Sequence, residues 1–235
     1  MEKQPKITHI FYASDSTVAQ KSYKAYPETG IGQMLPLFLS PDVKVENHAI
    51  NGRSTKSFMD QGRLKRIDDE IRKGDFLFIQ FGHNDEKSQD PSRYTDAFTS
   101  FKANLKTYIK VARKHKAVPV LISPIERRGF DENGILVFSH GNYVRAMKDV
   151  AEEENVAFID MTYITGMAIE AAGQEESRQW YMNFDAGVWE NFPEGKADNT
   201  HLTFTGAKLY AEMLSEELRK KGGIYEKLLF KEEAK

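Results

Sequence analysis

The chain has 235 residues, of which 40% are hydrophobic and 29% charged, and its formal net charge at pH 7 is −2. This length and composition predict one α/β domain over residues 1–235, and the balanced charge gives no indication of a nucleic-acid partner. The absence of cysteine excludes disulfides, thiolate catalysis and cysteine-ligated zinc. No apolar run approaches the roughly 18 residues of a membrane span, and no signal-peptide pattern begins the chain. We therefore expect a cytoplasmic protein with no membrane partner.

Apolar runs alternate with amphipathic patterns along the chain. Strands are predicted at residues 7–13, 43–50, 75–81, 117–123 and 156–160. Helices are predicted at residues 32–39, 57–73, 94–116, 140–155, 162–172 and 204–221, and residues 175–199 read as a long irregular excursion. Such alternation predicts a parallel sheet with helices on both faces, which is a doubly wound three-layer α/β/α sandwich.

Polar motifs follow the first three predicted strands. Ser16 comes after the first strand, Gly52 after the second, and Gly82-His83-Asn84-Asp85 after the third. Open α/β sheets bind their ligands beyond the carboxyl ends of the strands. The three segments are therefore expected to meet at one edge of the sheet.

A hydroxyl nucleophile needs a base, and the base needs a carboxylate to orient it. Asp198 and His201 lie three residues apart, just before the last predicted helix. With Ser16 they make a Ser-His-Asp hydrolase the leading hypothesis. The alternatives are ordinary structural roles, with Ser16 as a helix N-cap and the Asp198–His201 segment as an exposed turn that caps the last helix.

Three groups qualify as donors to a developing oxyanion: the Ser16 N–H, the Gly52 N–H and the Asn84 side chain. Asn84 also fits a loop amide that satisfies backbone groups, and Gly52 fits a simple turn. His83, Asp85 and His201 are residue types that also bind metals. No HExxH or histidine-rich spacing supports a metal site, so neither a metal nor a cofactor is expected.

At these residues the chain resembles the SGNH hydrolases, also called the GDSL esterase/lipase superfamily. The family's four blocks correspond in order to Ser14-Asp15-Ser16, Gly52, Gly82-His83-Asn84-Asp85 and Asp198-Asn199-Thr200-His201. The segments SDSTVA, NHAINGRSTKSF, FIQFGHND and DNTHLTFTGA are similar to the rhamnogalacturonan acetylesterase branch. One departure is that Ser14 replaces the family's glycine, which would strain the backbone if that position required a positive φ.

The resemblance implies a flavodoxin-like, five-stranded doubly wound parallel sheet and a serine esterase. It implies that Ser16 is the nucleophile, His201 the base and Asp198 the acid that orients it, with Ser16, Gly52 and Asn84 forming the oxyanion hole. The implied substrate is a small acetylated oligosaccharide of the plant cell wall, of the rhamnogalacturonan or pectin type.

Two other functions stay open. One is a broader carboxylesterase, lipase or thioesterase, or an acetylxylan esterase, on the same site. The other is a non-catalytic carbohydrate-binding α/β module.

Weaker patterns concern the contacts with substrate. His83, Arg53 and Trp189 are predicted substrate-binding residues, and Arg127 is a further candidate for a uronate carboxylate. Aromatic side chains are frequent before Asp198, and they either stack on sugars or pack the excursion onto the domain: Trp180, Tyr181, Phe184, Trp189 and Phe192.

Overall fold

A computed structural model describes residues 7–230 of the chain. Its main sheet has five parallel strands in the order β2-β1-β3-β4-β5. The strands are β1 (Thr8–Ser14), β2 (Val43–Asn47), β3 (Phe76–Gln80), β4 (Val118–Ile122) and β5 (Ala157–Ile159). This is the strand order of a flavodoxin-like doubly wound sheet, so the predicted fold class is confirmed.

Helices cover both faces of the sheet. They are α1 (Ile31–Met34), α2 (Thr55–Asp60), α3 (Arg63–Glu70), α4 (Lys102–Lys114), α5 (Gly141–Glu153), α6 (Met161–Arg178), α7 (Phe204–Lys221) and α8 (Gly223–Glu226). Helices α1, α6 and α7 pack on one face, and α2 to α5 pack on the other. The result is the three-layer arrangement that the alternation of strands and helices predicts.

Strand β1 shows how the sequence divides the core into two layers. Ile10 and Tyr12 belong to the cluster on the α1/α6/α7 face, whereas Phe11 and Ala13 belong to the cluster on the α2–α5 face. Successive side chains of a strand point to opposite faces, and here both faces are covered. A continuous apolar run is therefore what this strand needs.

Two predicted helices differ from the observed ones at a glycine, which divides one of them and lies just beyond the predicted end of the other. The predicted helix over residues 57–73 is two helices, and Gly62, with φ of 70°, separates α2 from α3. Left-handed backbone of this kind is open to glycine at little cost. The predicted helix over residues 162–172 instead continues to Arg178, past a non-helical Gly173 with φ of 72°.

Smaller differences occur at other helix ends. The first predicted helix is a short α-helix followed by a 3₁₀ turn over Leu35–Phe38, and the helix predicted from residue 94 starts as a π turn at Ala97–Phe101.

The prediction that residues 175–199 are irregular holds for residues 185–195 and is wrong at both ends of the segment. The segment contains the end of α6 and an antiparallel hairpin of β6 (Tyr181–Phe184) and β7 (Lys196–Leu202). The two strands are short and mix polar with aromatic residues, so no clean alternation marks them. Trp180 and Tyr181 are buried in the core, which accounts for part of the aromatic cluster by packing.

The hairpin docks on the loop that follows β1. The Thr29 N–H donates to the Leu202 carbonyl at 2.9 Å, and Glu28 forms a β-bridge with Thr203. The buried Tyr181 hydroxyl donates to the Glu126 carbonyl at 2.7 Å. These contacts set β7 beside the carboxyl end of β1.

Within residues 7–230, no helix is both long enough and apolar enough to cross a membrane. The expected location in the cell stays a prediction.

Candidate active site

Ser16 lies in the turn that follows β1, with 8% of its surface exposed. Asp15 closes this turn, since its Oδ1 accepts from the Thr17 N–H at 3.0 Å and from the Thr17 hydroxyl at 2.9 Å. The Asp15 carbonyl also accepts from the Ala19 N–H at 3.0 Å. Ser16 is therefore held at the carboxyl edge of the sheet by a turn of fixed shape.

Ser14, which replaces the family's glycine, fits its position without backbone strain. Among the non-glycine residues of the described chain, positive φ occurs at Lys116 and Asn155, and Ser14 is not one of them. Ser14 is the last residue of β1, and its buried hydroxyl donates to the Gln80 carbonyl at 2.6 Å. The side chain therefore ties the end of β1 to the end of β3.

Asp198 and His201 lie on β7, within the docked hairpin. Asp198 Oδ1 accepts from the N–H groups of Thr200 at 2.9 Å and His201 at 3.0 Å, which curls the segment back on its own carboxylate. Asp198 Oδ2 lies 2.7 Å from His201 Nδ1. Since an ionised carboxylate only accepts hydrogen bonds, Nδ1 carries the proton and donates it.

The other nitrogen of the His201 ring faces the serine. His201 Nε2 lies 2.9 Å from Ser16 Oγ, although 185 positions separate the two residues in the chain. With the proton on Nδ1, Nε2 accepts from the Ser16 hydroxyl. The structure thus brings Ser16, His201 and Asp198 into one hydrogen-bonded row.

Burial and hydrogen bonding oppose each other at Asp198. Burial disfavours the charged carboxylate, but the hydrogen bonds from the His201 side chain and backbone outweigh it and lower the pKa of Asp198. The Lys196 ammonium lies 3.8 Å from Asp198 Oδ2. An anionic Asp198 keeps the His201 proton on Nδ1 at neutral pH.

Gly52 and Asn84 follow the two strands that flank β1. Gly52 has φ of 74°, a left-handed conformation that favours glycine. Asn84 is buried, and its Nδ2 donates to the Arg53 carbonyl at 3.1 Å while its Oδ1 accepts from Arg93 Nη1 at 3.3 Å. These bonds fix the orientation of the amide and leave one Nδ2 hydrogen for another acceptor.

Asp85 has a structural setting that the sequence did not indicate. The Thr55 N–H donates to it at 3.1 Å, and the hydroxyls of Thr55 and Thr95 donate at 2.5 and 2.8 Å. Burial raises the pKa of Asp85 to about 7, and the threonine hydrogen bonds offset only part of that increase. Within residues 7–230, no three histidine or acidic side chains are grouped closely enough to bind a metal, so His83, Asp85 and His201 do not converge.

His83 is buried rather than presented on the surface. Its ring packs edge-on against His140 at 4.5 Å, and its two nitrogens have no hydrogen-bond partner in the described chain. Burial, helped by repulsion from His140 and Arg127, lowers the pKa of His83 well below its usual value. Arg127 itself pairs with Glu86 at 2.5 Å. The predicted contact of His83 with substrate stays a prediction.

Arg53 and Trp189 line two different cavities. Arg53 lines one of about 470 Å³ together with Arg93. Trp189 lines another of about 450 Å³, and its ring contacts Tyr26 edge-on at 5.3 Å. Ser16, Asp198 and His201 do not line the Trp189 cavity. Of these two predicted contacts, only Arg53 adjoins the Asn84 amide.

A line of alternating charges leads to Asp198, and sequence reasoning missed it. Lys21 Nζ lies 2.8 Å from Glu28 Oε1 and donates to Asn51 Oδ1 at 2.7 Å. Glu28 Oε2 lies 3.8 Å from Lys196 Nζ, which in turn contacts Asp198. No local pattern marks these residues, because the line joins segments that are distant in sequence.

Residues 8–209 match the model of the GDSL-like lipase/acylhydrolase family. The chain belongs to this family. As a GDSL-like acylhydrolase it is a carboxylic ester hydrolase, and the enzyme class expected from the four sequence blocks is confirmed.

Two curated relatives cover most of this GDSL-like chain. The rhamnogalacturonan acetylesterase RhgT of Bacillus subtilis is 39% identical over 222 residues, which are 94% of this chain and 93% of that protein. The probable rhamnogalacturonan acetylesterase YesY of the same organism is 38% identical over 214 residues, 91% of this chain and 94% of that protein. The resemblance to this branch is confirmed.

Among solved structures, the crystal structure of YxiM from Bacillus subtilis superposes with a TM-score of 0.78 at 25% identity. The alignment covers 93% of this GDSL-like chain and 57% of YxiM, so the chain spans little more than half of that protein's length.

Proposed function

We propose that the chain is a serine esterase that removes acetyl groups from acetylated plant cell-wall oligosaccharides of the rhamnogalacturonan type. The observation that carries this proposal is the row from Ser16 Oγ to His201 Nε2 at 2.9 Å and from His201 Nδ1 to Asp198 at 2.7 Å. The names of the two Bacillus subtilis relatives support an acetyl ester as the bond that is cleaved and a pectin-type oligosaccharide as the substrate.

The first step is attack by Ser16 Oγ on the acetyl carbonyl carbon. His201 Nε2 removes the serine proton as the new C–O bond forms. Asp198 then stabilises the imidazolium through the Nδ1–H bond and holds the ring in place.

The tetrahedral intermediate carries a negative oxygen that needs donors. The Ser16 N–H, the Gly52 N–H and the remaining Nδ2 hydrogen of Asn84 fill this role. Strands β2 and β3 flank β1 in the sheet, so the three segments leave the sheet at one edge. A fixed donor acts more strongly than water because it needs no reorganisation during the reaction.

Collapse of the intermediate breaks the bond to the sugar oxygen, which takes the proton from His201. The acetyl group stays on Ser16 as an ester. Water then attacks this ester while His201 accepts its proton, and acetate leaves as Ser16 Oγ regains a hydrogen. These reaction steps need no cofactor.

The decisive measurement is acetate release from acetylated rhamnogalacturonan and acetylated xylan fragments. We expect faster release from rhamnogalacturonan, and at least a 10³-fold loss of rate in Ser16→Ala because the nucleophile is gone. Ser88→Ala, an exposed serine with no role in the row, serves as the matched control. Undiminished acetate release by Ser16→Ala would overturn the assignment of Ser16 as the nucleophile. Equal release from the two kinds of fragment would overturn the proposed preference for rhamnogalacturonan.

A series of p-nitrophenyl esters separates an acetylesterase from a broader lipase. We expect kcat/KM to fall as the acyl chain grows beyond two to four carbons. A flat or rising series would instead favour a general carboxylesterase on the same row.

A further inference from the structure

A cavity of about 470 Å³ is lined by two arginines that contact the side chain of Asn84, one of the proposed oxyanion donors. Arg53 is the next residue after Gly52, and its carbonyl holds the Asn84 amide at 3.1 Å. Arg93 Nη1 reaches the same amide from the other side at 3.3 Å. The lining of this cavity is Arg53, Lys56, Ser57, Asp60, Gln61, Ser92 and Arg93. Ser16, Asp198 and His201 do not line this cavity, and Arg53 links it to the site through the bond from its carbonyl to the Asn84 amide.

Arg53 differs from the other cations of the cavity because no carboxylate neutralises it. Lys56 pairs with Asp60 at 3.2 Å, and Arg93 pairs with Asp90 at 2.6 Å. In the described part of the chain Arg53 makes no ion pair, and its Nε is buried without a hydrogen-bond partner. Arg53 as a whole is partly exposed and lines the cavity, so its unneutralised guanidinium is suited to an external acceptor there.

The surrounding charge supports an anionic ligand. Burial, together with repulsion from the Arg53 and Arg66 guanidinium groups, lowers the pKa of Arg63. The lining of the cavity has three cationic side chains, Arg53, Lys56 and Arg93, against one carboxylate, Asp60. Arg127, the other arginine considered for a uronate, has its charge met by Glu86 at 2.5 Å.

We propose that the Arg53 guanidinium binds the carboxylate of a uronate residue that adjoins the acetylated sugar. This deepens the proposed function and rests on it. A planar guanidinium matches a carboxylate with two parallel hydrogen bonds, which an ammonium group does not provide. The carboxylate is the anionic group that an acetylated pectin-type oligosaccharide supplies. Arg53 thus serves twice, with its backbone orienting Asn84 and its side chain selecting an acidic substrate.

The test compares two substrates that differ only at the carboxylate. One is an acetylated rhamnogalacturonan oligosaccharide, and the other is the same oligosaccharide with its carboxylates methyl-esterified. We expect the wild-type kcat/KM to favour the free acid by roughly 10- to 100-fold, the range for a charged hydrogen-bonded pair. In Arg53→Gln this ratio should fall to within about threefold of one, and Arg53→Lys should restore part of it.

Arg66→Gln is the matched control, because it removes the same charge from an exposed neighbour that does not line the cavity. It should keep the wild-type ratio. A ratio near one in the wild type, or a wild-type ratio in Arg53→Gln, overturns the proposal.

A second measurement needs no variant and so does not depend on how Arg53→Gln folds. Free galacturonate should inhibit the wild-type enzyme competitively, and its methyl ester should inhibit at least tenfold less. Equal inhibition by the two overturns the uronate site. A different result would be an enzyme that hydrolyses p-nitrophenyl acetate but releases no acetate from either oligosaccharide. That result would contradict the proposed function, and the uronate site, which rests on it, would be contradicted as well.

Discussion

Asp198 and Asp85 are two carboxylates near the same edge of the sheet, yet their surroundings have opposite effects. Asp198 has a side chain that is 20% exposed, and its Oδ2 faces the ring of His201 at 2.7 Å. Asp85 is fully buried and receives hydrogen bonds from the neutral donors of Thr55 and Thr95. The pKa of Asp198 is lowered, whereas burial raises the pKa of Asp85 to about 7.

The difference shows what a carboxylate needs in order to assist a base. A partner that can become a cation, together with some access to solvent, keeps the acid ionised. Hydroxyl and amide donors in a buried site hold a carboxylate in place, but they do not offset the full desolvation cost of its ionised form. Asp198 is therefore suited to orient and stabilise His201, and Asp85 is suited to fasten the loop after β3 to the start of α2.

The largest expected effect is a loss of turnover in Asp198→Asn. The amide presents hydrogens to Nδ1, so the proton moves to Nε2 and His201 can no longer accept from Ser16. We expect kcat to fall by roughly 10³- to 10⁴-fold with the melting temperature nearly unchanged. Steady-state kinetics on p-nitrophenyl acetate measure this, with Asp185→Asn, an exposed acid of the same hairpin, as control. A loss of less than tenfold would contradict the role of Asp198.

Asn84 directly precedes Asp85 in the sequence, and its substitution tests whether it has a catalytic or a structural role. If its amide serves the oxyanion, Asn84→Ala should lower kcat by roughly 10²- to 10³-fold and change KM little, because the bond strengthens only in the transition state. Asn133→Ala, in an exposed turn, should behave as wild type. A large loss of stability with kcat preserved would instead assign Asn84 to the structural side.

Asp85→Ala should act on stability more than Asp198→Ala does. It removes the acceptor for the Thr55 N–H and for two buried hydroxyls. We expect the free energy of unfolding in urea to fall by roughly 3 kcal/mol, against about 1 kcal/mol for the partly exposed Asp198. Equal losses for the two variants would mean that depth of burial does not separate these carboxylates.

The last expected effect is a pH dependence of stability that belongs to Asp85 and is small over any single pH unit. Its pKa is near 4 when unfolded and about 7 in the native state, so the native protein binds the extra proton between these values. Its stabilising contribution is complete below pH 4 and is lost as the pH rises to 7. The stability of wild type relative to Asp85→Asn should therefore shrink by about 1 kcal/mol per pH unit over this window. The measurement is urea unfolding of both proteins from pH 5 to 8. A difference in unfolding free energy between wild type and Asp85→Asn that stays constant over this range would contradict the prediction.

The sequence predicts the elements whose signals are local. Helix α7 is predicted to the residue, since Thr203 caps its start and Gly222, with φ of 69°, ends it. Strands β1 and β3 contain continuous apolar runs at residues 10–13 and 76–79, as a doubly covered sheet requires. The break at Gly62 also had a local signal, because a glycine inside a helical pattern weakens that prediction.

The features that the sequence did not predict depend on contacts between distant segments. The setting of Asp85 comes from Thr55 and Thr95, 30 and 10 residues away. The unpaired charge of Arg53 is visible only once the acids around it are placed. For the candidate site, the four blocks name the residues of the row, but only the docked hairpin determines that His201 reaches Ser16.

The row of Ser16, His201 and Asp198 spans two separate sheets. The nucleophile follows the five-stranded sheet, while the other two groups lie on the two-stranded hairpin. The hairpin rests on the bond from Thr29 to Leu202 and on the buried Tyr181 hydroxyl. A slight tilt of the hairpin would part Nε2 from Oγ and leave every helix intact. Catalytic rate therefore reports how the two sheets are seated on each other, which circular dichroism does not detect.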